Sequence, residues 1–230
     1  MILLEPGITI VTGTNTDVGK TITTAALACA LERAGRAPVL VKPAQTGLAP
    51  GEPGDVHEAA RLAGVPAERT YELVRMPEPL APTTAAARAR MTVPTVADHA
   101  RTIADLAQIH DTVLVEGAGG IRVGLDGAGA GLIELAAALA GFGHPARFVV
   151  VAAPDLGTLN ITRLTCDCLR QHGCAITGLV LGSWPDHPDL AMSCNRAEID
   201  AAAGAPLLAC LPAGLGSCRP EVFTERIRHV

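Results

Sequence analysis

The chain has 230 residues, of which 49% are hydrophobic and only 2% are aromatic, and its formal net charge is −5 at pH 7. The apolar content supplies a large aliphatic core and excludes global disorder, while the acidic balance excludes a general nucleic-acid or anionic-membrane binder. Seven cysteines without a CxxC pair indicate neither a disulfide framework nor a zinc module, which favours a cytoplasmic protein. No targeting or membrane-spanning segment is predicted, since no apolar run approaches the roughly 20 residues that a bilayer requires.

Short apolar runs alternate with alanine- and leucine-rich stretches along the chain. The runs predict strands of a parallel sheet, buried on both faces, at 8–12, 38–42, 112–116, 147–152, 176–181 and 207–211. The stretches predict helices at 20–34, 56–63, 96–108, 132–140, 158–172 and 196–203. We therefore predict one α/β domain over residues 1–230, with a doubly wound, mainly parallel sheet and helices on both faces. The segments 76–82 and 124–131 interrupt the alternation and are predicted to be loops over the ligand-binding edge, a mobile surface loop being the alternative for each.

A glycine-rich segment, which we call the phosphate loop, lies between the first predicted strand and the first predicted helix. It spans residues 13–21 and reads GTNTDVGKT, which has one residue more between its glycines than the pattern GxxxxGK[ST]. Backbone N–H groups of such a loop bind phosphate oxygens, while Lys20 would reach the β- and γ-phosphates and Thr21 would bind Mg²⁺. A chance match is the alternative, but the flanking strand and helix weaken it. The segment predicts a nucleoside-triphosphate site in a fold of the P-loop NTPase type.

The chain has only two lysines, Lys20 and Lys42, among its 18 cationic side chains. Lys20 belongs to the phosphate loop, and Lys42 ends the second predicted strand in the segment VKPAQTG. The carboxyl ends of parallel strands open onto the same edge of a sheet, and an ammonium is a compact point charge suited to phosphate oxygens. We therefore expect both lysines to converge on one site, the alternative being chance placement on the surface.

Two acidic residues are candidates to hold Mg²⁺ beside the phosphate loop. Glu116 ends the third predicted strand and precedes a glycine turn whose backbone amides can bind anions. A solvated glutamate before a turn is the alternative for Glu116. Asp55 begins a predicted helix as Asp-Val-His-Glu, a pattern typical of a capping box. A capping box is the simpler role for Asp55, and a second role as a metal ligand stays open.

Five segments of the chain resemble the dethiobiotin synthetase family. They are VTGTNTDVGKT (11–21), VKPAQTG (41–47), GDVHEAARLAG (54–64), VEGAGG (115–120) and PDLGTLN (154–160). The resemblance implies a ligase of biotin biosynthesis that uses Mg²⁺ and ATP to convert 7,8-diaminononanoate and CO₂, supplied as bicarbonate, into dethiobiotin, NDP and phosphate. The implied intermediates are a carbamate and a carbamic–phosphoric anhydride.

The resemblance also implies roles for individual residues. Lys42, Lys20 and Thr16 would be catalytic, and Thr21, Asp55 and Glu116 would hold Mg²⁺. The substrate would contact Thr16, Lys42, Thr46 and, across the interface of a homodimer, the helix start formed by Gly157, Thr158, Leu159 and Asn160. The nucleotide would be bound by Gly13, Asp17, Val18, Gly19, Lys20, Thr21, Ile22, Asp55, Glu116, Gly117, Ala118 and Gly119, with Gly182, Ser183, Trp184, Pro212, Ala213 and Gly214 around its base.

One segment departs from the family pattern. After the fifth predicted strand the family commonly has Asn-Asp, whose asparagine reads the edge of adenine, whereas this chain has Gly182-Ser183-Trp184-Pro185-Asp186. The missing amide predicts a relaxed choice of nucleotide base, in which CTP could replace ATP.

Two other functions are typical of related folds, and fold alone does not separate them. A nucleotide-driven switch of the partitioning or metal-insertion type carries a second lysine just after the first glycine of its loop, where this chain has Thr14-Asn15-Thr16. An amidotransferase-type synthetase acting on cobalt-corrin acids usually appends a glutaminase domain, for which 230 residues leave no room. The residues therefore favour the ligase.

Overall fold

A computed structural model of the chain describes residues 4–228, and its main feature is a parallel sheet. The strands are β1 (Gly7–Gly13), β2 (Val39–Lys42), β3 (Gln45–Thr46), β4 (Thr70–Glu72), β5 (Arg75–Met76), β6 (Thr112–Gly120), β7 (Ala146–Ala152), β8 (Ala175–Trp184) and β9 (Leu207–Pro212). Seven of them pair in parallel in the order β4-β2-β6-β1-β7-β8-β9, and β3 pairs with β5 in a separate parallel ladder.

Helices cover both faces of the seven-stranded sheet. They are α1 (Lys20–Arg33), α2 (Asp55–Ala63), α3 (Pro82–Ala89), α4 (Val96–Ile109), α5 (Leu132–Gly141), α6 (Thr158–Gln171), α7 (Leu190–Ala203) and α8 (Pro220–Arg226). Helices α1, α2 and α8 pack in one apolar core, and α3 to α7 pack in a second core on the opposite face. Because both faces are covered, β2 is buried along its whole length. The predicted doubly wound parallel sheet is confirmed.

The sheet changes its winding direction at β1, which lies between β6 and β7. Ligands of such sheets bind outside the carboxyl ends of the strands at this point. Lys42 is the last residue of β2, and Glu116 lies in β6 opposite Val11 of β1. The topology therefore places the phosphate loop, Lys42 and Glu116 at one edge.

Three short strands differ from the prediction. β4 forms one edge of the main sheet, and β3 and β5 form the separate ladder, although no apolar run indicated any of them. All three residues of β4 are half-buried, as expected of an edge strand that faces solvent. Two predicted strands are longer than expected, since β6 continues to Gly120 and β8 to Trp184.

Two helices were not predicted, α3 and α8, and each has a proline at its start. The predicted loop at 76–82 was therefore wrong at both ends, since Met76 belongs to β5 and Pro82 begins α3. Residues 124–131 contain no helix or strand, so the loop itself is confirmed, while its placement over the ligand-binding edge stays a prediction. Helix α7 begins earlier than predicted, because the Asp189 side chain accepts a hydrogen bond from the backbone N–H of Met192 and caps its N-terminus.

Within residues 4–228, no helix has the length and apolar content that crossing a membrane requires.

Candidate active site

The phosphate loop connects β1 to α1 and depends on glycine at both ends. A Cβ at Gly13 would lie 2.7 Å from the carbonyl oxygen of Asn15, because the loop folds back over its own start. Gly19 has a φ of 99°, a left-handed conformation that favours glycine. Among the described residues, no side chain caps α1 and no acidic residue lies in its first turn. The N-terminus of α1 therefore presents its partial positive charge to an anion in the loop.

Lys20 folds over the phosphate loop, where its Nζ donates a hydrogen bond to the carbonyl oxygen of Asn15 at 2.9 Å. The side chain is buried. Burial lowers the pKa of the Lys20 ammonium, and the positive charge of Lys42 lowers it further. An anion in the loop would offset both effects, so the charge of Lys20 and a bound polyphosphate favour each other.

Lys42 is the centre of a buried ionic cluster. Its Nζ lies 2.7 Å from Oδ2 of Asp55, 2.9 Å from Oε1 of Glu116 and 3.0 Å from the carbonyl oxygen of Gly117. Lys42 is only 2% exposed and Glu116 only 1%. Burial disfavours the charged form of Lys42, but Glu116 and Asp55 outweigh it and raise the pKa of the ammonium above its usual value. The two carboxylates therefore keep the Lys42 ammonium charged and fixed at the carboxyl end of β2.

Oxygen atoms suited to a magnesium ion gather beside this ammonium. The Thr21 hydroxyl donates a hydrogen bond to Oε1 of Glu116 at 2.9 Å. Oε2 of Glu116 is buried and has no hydrogen-bond partner in the described part of the chain, and a buried carboxylate oxygen of this kind needs a donor or a cation. Mg²⁺ prefers hydroxyl, carboxylate and phosphate oxygens. The residues Thr21, Glu116 and Asp55 fit this ion.

The predicted capping role of Asp55 was wrong. Gly54 occupies the N-cap position of α2, and no side chain in the described structure caps this helix. Asp55 is the first helical residue, and its carboxylate points to Lys42 instead. Lys42 provides a full positive charge, which binds a carboxylate more strongly than a backbone N–H does.

One cavity of about 880 Å³ brings most of the predicted site residues together. The predicted residues that line it are Thr16, Asp17, Gly19, Lys20, Thr21, Ile22, Lys42, Thr46, Asp55, Glu116, Ala118, Gly119 and Ser183. Both lysines of the chain thus face one space, as the sequence predicted. Gly13, Val18 and Gly117 do not line it; Gly13 and Val18 pack against each other inside the phosphate loop.

The sequence missed an apolar side of this cavity, which we call the apolar wall. It is formed by residues 79–82, Leu48 and Val123. Gly47 permits the wall to come close, since a Cβ there would lie 3.0 Å from Cβ of Pro79. Residues 79–82 lie in the segment predicted to be a loop over this edge. The prolines of this segment were the sequence feature that could have indicated an apolar side of the cavity.

The two segments predicted to surround the nucleotide base, 182–184 and 212–214, lie side by side. A Cβ at Gly182 would lie 2.1 Å from the carbonyl oxygen of Val18, so β8 touches the phosphate loop at a position that only glycine can occupy. The backbone N–H of Ala213 donates to the carbonyl oxygen of Trp184 at 2.7 Å. The indole ring of Trp184 is partly buried and packs against the core of α3 to α7, with the Arg196 guanidinium 5.4 Å from the ring centre. Pro212 and Gly214 flank Ala213 and, like Trp184, do not line the cavity.

The predicted carboxylate site lies elsewhere on the chain. Gly157 is the exposed N-cap residue of α6, and Thr158, Leu159 and Asn160 form its first turn. None of these four residues lines the cavity. The turn before Gly157 is held by Asn195 of α7, whose Nδ2 donates to the carbonyl oxygens of Pro154 and Asp155 at 2.9 and 3.0 Å.

The fold and the phosphate loop define the class of the protein. An AAA domain family model matches residues 9–217. The fold is similar to the cell division ATPase MinD of Pyrococcus furiosus, with a TM-score of 0.57, 21% identity and coverage of 96% of this chain and 97% of that chain. It is also similar to a ParA family ATPase from Chlorobium tepidum, with a TM-score of 0.59, 13% identity and coverage of 98% of each chain. The chain is a P-loop NTPase.

Curated relatives identify the family within this class. The ATP-dependent dethiobiotin synthetase BioD of Streptomyces avermitilis is 51% identical over 216 residues, covering 93% of this chain and 87% of the relative. The enzymes of the same name from Rhodococcus jostii and Streptomyces coelicolor are 51% and 46% identical, and the match covers 90% of each. The chain belongs to the dethiobiotin synthetase family and is a ligase, as its sequence segments predicted. The likeness to MinD and ParA shows the fold alone. The alternative function, a nucleotide-driven switch, is therefore not better supported than the ligase.

Proposed function

We propose that the chain closes the cyclic urea of dethiobiotin in the 880 Å³ cavity, from 7,8-diaminononanoate, CO₂ and ATP. The observation that carries the proposal is that Lys20 and Lys42 line this one cavity, with Lys42 held between Asp55 and Glu116. A reaction that transfers a phosphoryl group to a carbamate gathers negative charge, and two ammonium groups fixed in advance stabilise it.

The nucleotide would occupy the phosphate loop. Backbone N–H groups at the start of α1 would bind the phosphates, and Lys20 would exchange its bond to Asn15 for the β- and γ-phosphate oxygens. Thr21, Glu116 and Asp55 would hold Mg²⁺, which supplies positive charge to the phosphate oxygens when bound. The free Oε2 of Glu116 supports this assignment.

Lys42 would act on the reacting groups. One amine of the diamine adds to CO₂ and loses a proton, giving a carbamate. A carbamate oxygen then displaces ADP from the γ-phosphorus, giving a carbamic–phosphoric anhydride. The second amine attacks the anhydride carbon, phosphate leaves, and the ring closes with loss of a proton. The Lys42 ammonium would exchange bonds to its present acceptors for the carbamate and γ-phosphate oxygens and neutralise them together, and its raised pKa keeps it charged. Thr16 and Thr46 would position the diamine or the carbamate.

The apolar wall suits the rest of this substrate. A nonanoate carries a long methylene chain between its diamine end and its carboxylate. Residues 79–82, Leu48 and Val123 offer apolar surface in the cavity that the lysines line, and burying a methylene contributes about 0.8 kcal/mol.

The substrate's carboxylate would bind to a second copy of the chain. Gly157 and Asn160 at the start of α6 are exposed, and a helix N-terminus can bind anions through free N–H groups, although the N–H of the buried Thr158 already donates to the carbonyl oxygen of Asp155 at 3.2 Å. Leu156, which is 86% exposed, precedes this helix start, and the exposed Leu164 lies further along α6; exposed apolar residues of this kind favour an interface. We therefore propose a homodimer in which each subunit's α6 completes the other's cavity.

The choice of nucleotide is proposed to be relaxed. The relatives are named ATP-dependent, but this chain has Gly182-Ser183-Trp184 where an adenine-reading amide was expected. Apparent KM values for ATP, CTP and GTP measure this directly, and a large advantage for ATP would refute a relaxed choice.

The overall proposal is tested by one assay. The purified protein is incubated with the diamine, bicarbonate, Mg²⁺ and each NTP in turn, and the product is analysed by mass spectrometry. We expect the mass of the cyclic urea and one phosphate released for each ring closed. Hydrolysis of NTP without cyclic urea would contradict the proposal and favour the switch ATPase.

A further inference from the structure

The position of Asp55 requires an explanation that its own helix does not provide. Asp55 is bonded to Lys42 at 2.7 Å, yet its side chain is 39% exposed, in contrast to the buried Glu116. Residues 47–54, which precede Asp55, form no helix or strand. Another part of the chain must therefore fix the start of α2.

Gln45 makes this connection. Its Oε1 accepts a hydrogen bond from the backbone N–H of Asp55 at 2.9 Å, and its Nε2 donates to the carbonyl oxygen of Thr46 at 3.0 Å. Gln45 itself is buried and is fixed by β3, where its backbone N–H donates to the carbonyl oxygen of Val74 at 2.9 Å. The side chain thus links a short strand to the first residue of α2.

The hydrogen bond between Gln45 and Asp55 is closely surrounded by other atoms of the chain. A Cβ at Gly54 would lie 3.0 Å from Oε1 of Gln45 and 2.2 Å from Oε2 of Glu72. Arg75, which is paired with Glu72, also donates to the carbonyl oxygens of Ala49 and Glu52 at 2.8 and 2.7 Å. Arg75 therefore holds the body of the loop, and Gln45 holds the point at which the loop becomes helix.

We propose that Gln45 is a positioning residue, which holds the carboxylate of Asp55 against Lys42, where this carboxylate would serve as a ligand of Mg²⁺. It lines the cavity, but its carbonyl oxygen and one amide hydrogen are already used within the chain, so it acts through Asp55. This inference deepens the proposed function and rests on it for the role of Asp55 in catalysis.

The direct test is Gln45→Met, which keeps the length of the side chain and removes the acceptor. We expect kcat for ring closure to fall about tenfold, since the Asp55 carboxylate loses its fixed position. The affinity for Mg²⁺·ADP, measured by calorimetry, should fall by a similar factor, while the affinity for ADP in EDTA stays unchanged. A merely structural role would weaken both affinities together.

The sharpest test repeats the substitution in an Asp55→Ala background. If Gln45 acts through Asp55, Gln45→Met should change neither kcat nor Mg²⁺·ADP affinity by more than about twofold there, because two residues of one linked unit are not additive. The same tenfold loss in both backgrounds would overturn the proposal, as would wild-type kcat and Mg²⁺·ADP affinity in the single variant.

Two further variants complete the design. Gln108→Met makes the same chemical change at an exposed position of α4 and should behave as the wild type. If Gln45→Met does not fold, Gln45→Asn carries the same test, because its shorter amide keeps the site polar but withdraws from the N–H of Asp55. The calorimetry needs no diamine, so a failure of the proposed ring closure leaves the coupling of Gln45 to Asp55 separately measurable.

Discussion

A lysine that is 2% exposed has lost almost all of its hydration, and three acceptors around Lys42 replace it. Such a group is costly to bury, and an ionic cluster of this kind is weak evidence for stability. Its value is electrostatic, since an ammonium already held at the site stabilises charge as that charge develops, although a hydrogen bond to a substrate oxygen would replace one of its three present bonds.

Replacing Lys42 by glutamine tests this role. Lys42→Gln should lower kcat by at least about a hundredfold, because the carbamate and γ-phosphate oxygens lose their shared charge. Binding of ADP to the phosphate loop should persist, since Lys20 and the start of α1 are unchanged. Cyclic-urea formation and ADP calorimetry measure the two effects. Near-normal turnover of Lys42→Gln would contradict a catalytic role of Lys42.

Thr21 offers a test of the magnesium assignment. Thr21→Val keeps the shape of the side chain and removes the hydroxyl that donates to Glu116. The Mg²⁺ concentration for half-maximal rate should rise about tenfold, because one expected ligand is lost. Thr23→Val is the matched control on the same helix, since the Thr23 hydroxyl is buried and has no partner in the described structure. An unchanged magnesium titration in Thr21→Val would contradict the assignment.

At the scale of elements, β8 and the phosphate loop are packed so closely that they form one unit. Gly182→Ala would push a Cβ against the carbonyl oxygen of Val18, where 2.1 Å is available. The clash is with backbone, so the loop itself must move, and we expect ADP affinity to fall at least about tenfold together with a loss of about 1–3 kcal/mol in the free energy of unfolding.

Gly141→Ala is the control for this substitution. Gly141 ends α5, and a Cβ there meets no atom within 4 Å. Its ADP affinity should equal that of the wild type. Wild-type affinity in Gly182→Ala would show that the loop and β8 are not coupled.

The elements also show what a sequence pattern can predict. The central strands were predicted because burial on both faces gives continuous apolar runs. The edge strand β4 gives no such run, and α3 was missed although Pro82 at its first position is a typical start of a helix. The capping box at Asp55 was wrong for another reason. Its pattern is local, whereas the Lys42 and Gln45 that bind Asp55 are brought to it by β2 and β3.

At the scale of the whole molecule, the cavity holds the groups for phosphoryl transfer, while the expected carboxylate site at the start of α6 does not line it. A single chain is therefore an incomplete enzyme under the proposed function. In a symmetric dimer, each site would combine one subunit's lysines with the other subunit's α6.

Subunit complementation tests this arrangement. Lys42→Gln loses the chemistry but keeps α6, and Asn160→Asp keeps the chemistry but places a negative charge where the substrate's carboxylate would bind. Each variant alone should make almost no cyclic urea. When they are unfolded, mixed in equal amounts and refolded together, half of the dimers pair one subunit of each kind and contain one intact site. About one quarter of wild-type activity should therefore return. If each cavity is complete within one chain, the mixture stays as inactive as its components, and the composite site is excluded.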